Sequence, residues 1–261
     1  MKKILTLALV LISLCGSAQQ LLRNKKGEVI TPEKGEFSLG FDAAPFLTYA
    51  GNLLGSGNES PGALFSANSP LTITGKYLKN ETTAYRMMLR LGLSVFKEDT
   101  LVPRLLSTNP NEKVANETKT ITGNIILGGG IQKWRGKSRV RGFYGGEILL
   151  GITTDKTTFT YGNELSQENQ APRSKSDKKG SEVSFHLRGF AGVEYFFAPK
   201  SSLSAEFGWG PRLSSTGRGE SQTESWSGAG VETQTEETGK KSEFSFDNDN
   251  AAGAINLTFY F

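Results

Sequence analysis

The chain has 261 residues, with 30 basic and 26 acidic side chains, a formal net charge of +4, 36% hydrophobic residues, one cysteine and one histidine. So balanced a charge excludes a nucleic-acid binder built on a basic surface, and a lone cysteine excludes internal disulfides and any cysteine-based metal centre. The apolar content is poor for a bundle of membrane helices but suits a barrel, in which only every second strand residue meets lipid.

In chain order, Met1-Lys2-Lys3 followed by an apolar run from Ile4 to Leu14 and then Gly16-Ser17-Ala18 reads as a signal peptide over residues 1–18. Sec export with cleavage near Ala18 then leaves 28 basic against 26 acidic side chains, a net charge of +2. The run is too short for the ~20 residues a transmembrane helix needs. A lipid-anchored Cys15 is the rival reading, and Leu14 before it is not the small residue such a signal wants. Residues 19–35 read as a short periplasmic segment and residues 36–261 as the folded body.

Eight segments carry a period of two, the signature of strands with one apolar face. The first, near Glu36 to Tyr49, places Phe37, Leu39, Phe41, Ala43, Leu47 and Tyr49 on one side, with a bulge expected at Pro45. The second has Leu71, Ile73 and Tyr77 outward. After a tight Lys79–Thr82 turn comes the clearest, in which Tyr85, Met87, Leu89, Leu91, Leu93 and Val95 alternate with Arg86, Met88, Arg90, Gly92 and Ser94. The fourth turns Ile121, Ile125, Leu127 and Ile131 outward, and the fifth Val140, Tyr144, Ile148, Leu150 and Ile152. Val183, Phe185, Leu187, Ala191, Val193 and Tyr195 mark the sixth, Leu203, Ala205, Phe207 and Trp209 the seventh. The eighth closes the chain with Ile255, Leu257, Phe259 and Phe261.

Connections alternate between short turns (79–82, 132–138, 198–202) and long polar stretches (50–69, 98–117, 155–181, 214–242). Short turns on one rim and long loops on the other are the layout of an all-β, eight-stranded antiparallel up-and-down transmembrane β-barrel with four long extracellular loops. Within the last loop, Glu220–Trp226 and Val231–Glu236 flank Ser227-Gly228-Ala229-Gly230 as the arms of a polar hairpin.

From about Glu36 to Phe261 the chain resembles the small eight-stranded outer-membrane proteins, the OmpA transmembrane domain and OmpX among them. The likeness is carried by the "GVEYFFAPKSSLSAEFGWG" stretch, Gly192–Gly210, and the closing aromatic strand "INLTFYF". It implies the outer membrane of a Gram-negative bacterium and a final strand similar to those that the barrel-assembly machinery recognises. Unlike full-length OmpA, nothing here follows the last strand that could bind peptidoglycan.

If the apolar faces look outward, Asp42, Glu147, Glu194 and Glu206 point inward with Lys76, Arg86, Arg90 and Arg188, four charges of each sign. Asp42, Arg90, Glu147 and Arg188 count to mid-height, and Lys76, Arg86, Glu194 and Glu206 lie nearer the short turns. Confined charges must pair, so the network reads as a plug; a narrow ion or solute channel gated by pair exchange is the alternative. Phe37, Tyr77, Tyr85, Tyr195, Phe259 and Phe261 gather at one level as an aromatic girdle. Gly128–Gly130, Gly145 and Gly146 are expected to make room for long inward side chains, and no phosphate-loop string occurs.

His186, with Ser184 two residues before it and Glu147 as orienting acid, is the one constellation that could carry nucleophilic chemistry on lipid. Both residues face inward, away from lipid, so the expectation is a non-enzyme without metal or cofactor. Outer-membrane lipid, the assembly machinery and an extracellular or envelope protein are the expected partners, through loops that act in surface interaction, adhesion or an envelope complex.

Overall fold

The computed structural model describes residues 22–23, 27–43, 71–247 and 254–261. The expected signal peptide, Leu47, Tyr49, the expected bulge at Pro45 and the expected 50–69 loop lie outside the described residues. Eleven strands make up one antiparallel sheet: β1 (Phe37–Asp42), β2 (Leu71–Asn80), β3 (Thr83–Pro103), β4 (Lys113–Arg135), β5 (Val140–Thr160), β6 (Arg173–Ala198), β7 (Ser201–Thr216), β8 (Glu220–Trp226), β9 (Val231–Glu237), β10 (Lys241–Asp247) and β11 (Ala254–Tyr260).

Each of β1 to β6 pairs with the next, and β11 pairs with both β7 and β1, which closes a ring of eight. The ring has a measurable stagger. From Leu203 on β7 the register leads to Leu257, Phe41, Ile73, Leu89, Leu127, Leu150, Phe185 and then Leu213, back on β7 but ten residues further along. Eight strands with a shear of ten give a tilt of about 40° and a backbone radius of about 8 Å. One circuit climbs about 25 Å, the height of the apolar band of an outer-membrane barrel.

Every residue on that circuit is apolar and points away from the barrel axis. Leu127, Leu150 and Leu213 are 57%, 58% and 53% exposed. Side chains on the opposite face of the ring's strands, such as Arg86, Arg90 and Arg188, are buried. The body is therefore inverted relative to a water-soluble protein: charge within, hydrocarbon without.

Above the ring the structure departs from the expected loops. Most of residues 98–117, 155–181 and 214–242 is strand, leaving tips at 104–112 and 161–172. β3 to β6 run to 21, 23, 21 and 26 residues, about twice the 9–11 needed to cross a bilayer. The arms are polar on both faces, so they lack the alternation that marks a half-buried strand. The hairpin in the last loop is present as β8 and β9, joined in register from Glu220↔Glu237 to Trp226↔Val231. Its β8 continues the sheet beside β6 through Arg173–Lys178, while β10 takes the upper half of β7. Gly180 sits where β6 exchanges β7 for β8, so close to the Gly217 carbonyl that a Cβ has no room.

At the other end a short segment covers the mouth. Ile30 is fully buried; its N–H donates to the Leu22 carbonyl (2.8 Å), and the Lys200 N–H donates to the Ile30 carbonyl (3.1 Å). Ile30 packs with Leu78, Ala84, Trp134, Phe143, Phe196 and Tyr260. An apolar floor thus closes the short-turn end, from side chains of β2, β3, β4, β5, β6 and β11.

Candidate functional site in the barrel interior

The interior charges form two groups. Just above the floor, Glu194 on β6 accepts hydrogen bonds from Trp134 Nε1, Ser202 Oγ and the Tyr260 hydroxyl, each at 2.6 Å. Lys76 Nζ lies 3.5 Å from the same carboxylate and donates to the Tyr260 oxygen at 3.4 Å. The ammonium also stands 5.4, 5.9 and 5.8 Å from the ring centres of Trp134, Phe143 and Tyr260. An aromatic cage and one carboxylate together replace the water this lysine has lost.

Higher up, two arginines and two glutamates alternate. Arg86 donates to both oxygens of Glu206, with Nη2 to Oε1 at 3.1 Å, and its Nε lies 3.3 Å from Glu147. Arg188 Nη1 donates to Glu147 at 2.5 Å, and its Nη2 pairs with Glu206 at 2.8 Å. The Phe190 ring carries both guanidiniums, 4.6 Å from Arg86 and 5.6 Å from Arg188. All four charged side chains are at most 4% exposed. Such a quartet is neutral and hydrogen-bonded, the condition under which buried charge is tolerated, and it fills a lumen of this width. A carboxylate held between two guanidiniums is an acceptor already in use and no free base.

The ion pairs cut across the two levels counted from the sequence: Arg86 and Glu206 join Glu147 and Arg188 in one quartet, leaving Lys76 with Glu194 as the lower pair. Arg90, above the quartet, donates from Nε to Thr72 Oγ1 at 3.2 Å. Asp42 is half-buried at the end of β1; neither it nor Arg90 lacks partners. The four-against-four count also overlooked Arg141, buried in the floor with its guanidinium 5.6 Å from the Phe196 ring. Its place on the inward face of β5 was readable from the alternation with Val140 and Tyr144.

Ser184 and His186 both face inward on β6. His186 is buried, its Nε2 makes no hydrogen bond among the described residues, and the acid that could orient it, Glu147, is engaged by Arg86 and Arg188. Among the described residues no three His, Cys, Asp or Glu side chains converge as a metal site. Of the glycines expected to make room, Gly128, Gly130 and Gly145 do so, against Leu149, Glu147 and Phe190; Gly129 and Gly146 face outward. Gly208, not singled out in the sequence, lies against the Arg188 guanidinium, where any side chain would collide with the quartet.

On the outside, the six aromatic residues expected as a girdle sit at the short-turn ends of their strands. Phe37 faces Tyr77 with ring centres 5.0 Å apart, and Tyr77 pairs in register with Tyr85. Phe37 and Phe261 exchange backbone hydrogen bonds at 2.9 Å in both directions. Phe259 lies opposite Leu39, and Tyr195 opposite Leu203. All six rings are exposed, from 41% at Tyr77 to 71% at Phe261.

No family model matches the chain, and no curated protein matches it. Among solved structures it is similar to the outer membrane protein OprG from Pseudomonas aeruginosa, at 12% identity over 89% of this chain and 98% of that one, with a TM-score of 0.30. A TM-score that low is no measure of kinship. The fold stands on the ring of strands itself: an all-β antiparallel barrel of eight, closed by β11.

Proposed function

We propose that this chain is an outer-membrane β-barrel, closed at its short-turn end, that acts structurally or through the sheet arms it raises outside the cell. The observation that carries the reading is the register circuit from Leu203 to Leu213, apolar at every step, outward-facing and as tall as a hydrocarbon layer. Water would make such a surface an aggregation site; lipid makes it the stable face. The short turns then face the periplasm, and export with cleavage near Ala18, recognition of the closing strand by the assembly machinery and a protein partner at the arms belong to the same reading.

The sealed lumen is supported by the buried floor of Trp134, Phe143 and Tyr260 and by the neutral quartet, which speak against the channel alternative. The enzyme alternative loses support from the placement of Ser184 and His186 inside the barrel. The test is to refold the mature chain into planar bilayers and record current. Insertion without single-channel steps is expected. Reproducible steps that change on Glu147→Gln would replace the plug with a pathway.

A further inference from the structure

One short turn concentrates cations at a rim of the apolar belt. At the long-strand end several exposed cations have acids beside them, Lys97 with Glu117 at 2.8 Å, Lys179 with Asp155 at 3.3 Å, Arg212 with Glu182 at 2.6 Å and Lys241 with Glu243 at 3.1 Å, and others, such as Lys119, Lys156 and Lys178, are spread singly along the arms and are in no ion pair among the described residues. At the short-turn end the β4–β5 turn reads Lys133-Trp134-Arg135-Gly136-Lys137-Ser138-Arg139, four cations and no acid. Among the described residues none of these four is in an ion pair, nor is Lys79 on the adjoining turn, which a 2.8 Å bond from the Trp134 N–H to the Thr82 carbonyl holds alongside. Glu81 is the one acid of the two turns.

Their level is fixed by the girdle. Lys133 lies opposite Tyr144 in register, and Arg135 Nη2 donates to the Tyr144 hydroxyl at 3.4 Å with its guanidinium 6.0 Å from that ring. Lys79 Nζ is 5.8 Å from the Tyr85 ring. Tyr85 belongs to the girdle, Tyr144 is an outward tyrosine near the same rim, and tyrosines at a rim sit at headgroup depth, so Lys79, Lys133 and Arg135 are held where lipid phosphates lie, with Lys137 and Arg139 in the same turn. Arginine offers a planar fork to phosphate and lysine a mobile point charge.

We propose that the β4–β5 turn, with Lys79 beside it, is a binding site for the phosphate headgroup of an anionic phospholipid in the periplasmic leaflet. The inference rests on the membrane reading above and adds the ligand class, the leaflet and the residues. Unneutralised cations grouped in one turn at the rim are retained because the lipid supplies the missing charge.

The test uses the refolded mature chain, released intact from detergent into a mass spectrometer after titration with phosphatidylglycerol or phosphatidylcholine. Folding is checked first by heat-shifted gel mobility and by insertion into phosphatidylcholine vesicles. Phosphatidylglycerol should be retained at lower concentration than phosphatidylcholine, and Lys133→Gln with Arg135→Gln, Lys137→Gln and Arg139→Gln should weaken it at least tenfold, at about fivefold per cation near a charged surface. Lys97→Gln with Lys119→Gln at the other rim should leave the preference intact. Excess inorganic phosphate should not displace the lipid; equal displacement assigns the turn to a soluble anion and overturns the proposal. An inserted barrel without headgroup preference, or one whose preference survives the fourfold change, overturns it while leaving the membrane reading standing. Failure to insert at all overturns both.

Discussion

Replacing Leu127 by arginine separates a lipid-facing belt from an ordinary exposed surface. Leu127 is 57% exposed on β4, between Leu89 and Leu150 in register, and it is the fifth step of the eight-step climb. It therefore lies about 15 Å above the start of the band, near mid-height, too deep for an arginine head to reach either interface with ease. Arginine there costs about 2–4 kcal/mol in a bilayer, roughly 30- to 900-fold in the folding equilibrium. In water the same exchange at an exposed site costs about 0.5 kcal/mol or less. The control is Leu101→Arg, a leucine 64% exposed on the upper arm of β3, opposite Ala115. Urea unfolding in phosphatidylcholine vesicles, followed by tryptophan fluorescence, should show a large loss for Leu127→Arg and almost none for Leu101→Arg. Equal, small losses would refute the lipid-facing assignment of β4.

Glu194→Gln should destabilise the barrel by about 3–5 kcal/mol, since it strands a buried Lys76 without its counter-charge; Lys76→Met in the same background should recover part of that loss, and strictly additive effects in the same unfolding assay would argue against coupling. At the β3–β4 tip, the Ser107 hydroxyl and then Arg104 hold the Glu112 carboxyl below the usual carboxylate range. A depressed acid contributes stability above its ordinary range and loses it as pH falls through the lowered value, so amide protection across 105–112, corrected for intrinsic exchange, should drop in acid and become insensitive to pH in Glu112→Gln.

What the sequence made legible was decided by whether two faces of a strand see different solvents. Leu89 and Arg90 are neighbours in the chain and opposites in space, and that contrast alone places β3. On the arms no such contrast exists: Thr120 meets Thr157 at 3.1 Å and Thr122 meets Asp155 at 3.2 Å, polar on polar, so strands there look like loops until their pairing is seen. The floor was hidden for another reason. Trp134, Phe143, Phe196 and Tyr260 occupy inward positions of strands whose inward faces are otherwise polar, and Ile30 comes from a stretch with no period at all. Quartet membership required the stagger, which is set by the closed ring and not by any one segment.

The ten-residue offset around that ring is an integer, and this limits how the wall can err. A slip of one residue at any seam would turn leucines inward and arginines into lipid, so only even slips keep the faces. A slip of two raises the stagger to twelve and widens the wall by less than about 1 Å, a change the outer surface would scarcely notice. It is noticed inside: a two-residue slip at the β3–β4 seam carries Arg86 a full pleat away from Glu147 on the far side of β4. The charged quartet therefore works as a combination lock on alignment, rejecting the one class of misthreaded barrel that the greasy exterior cannot tell from the native one.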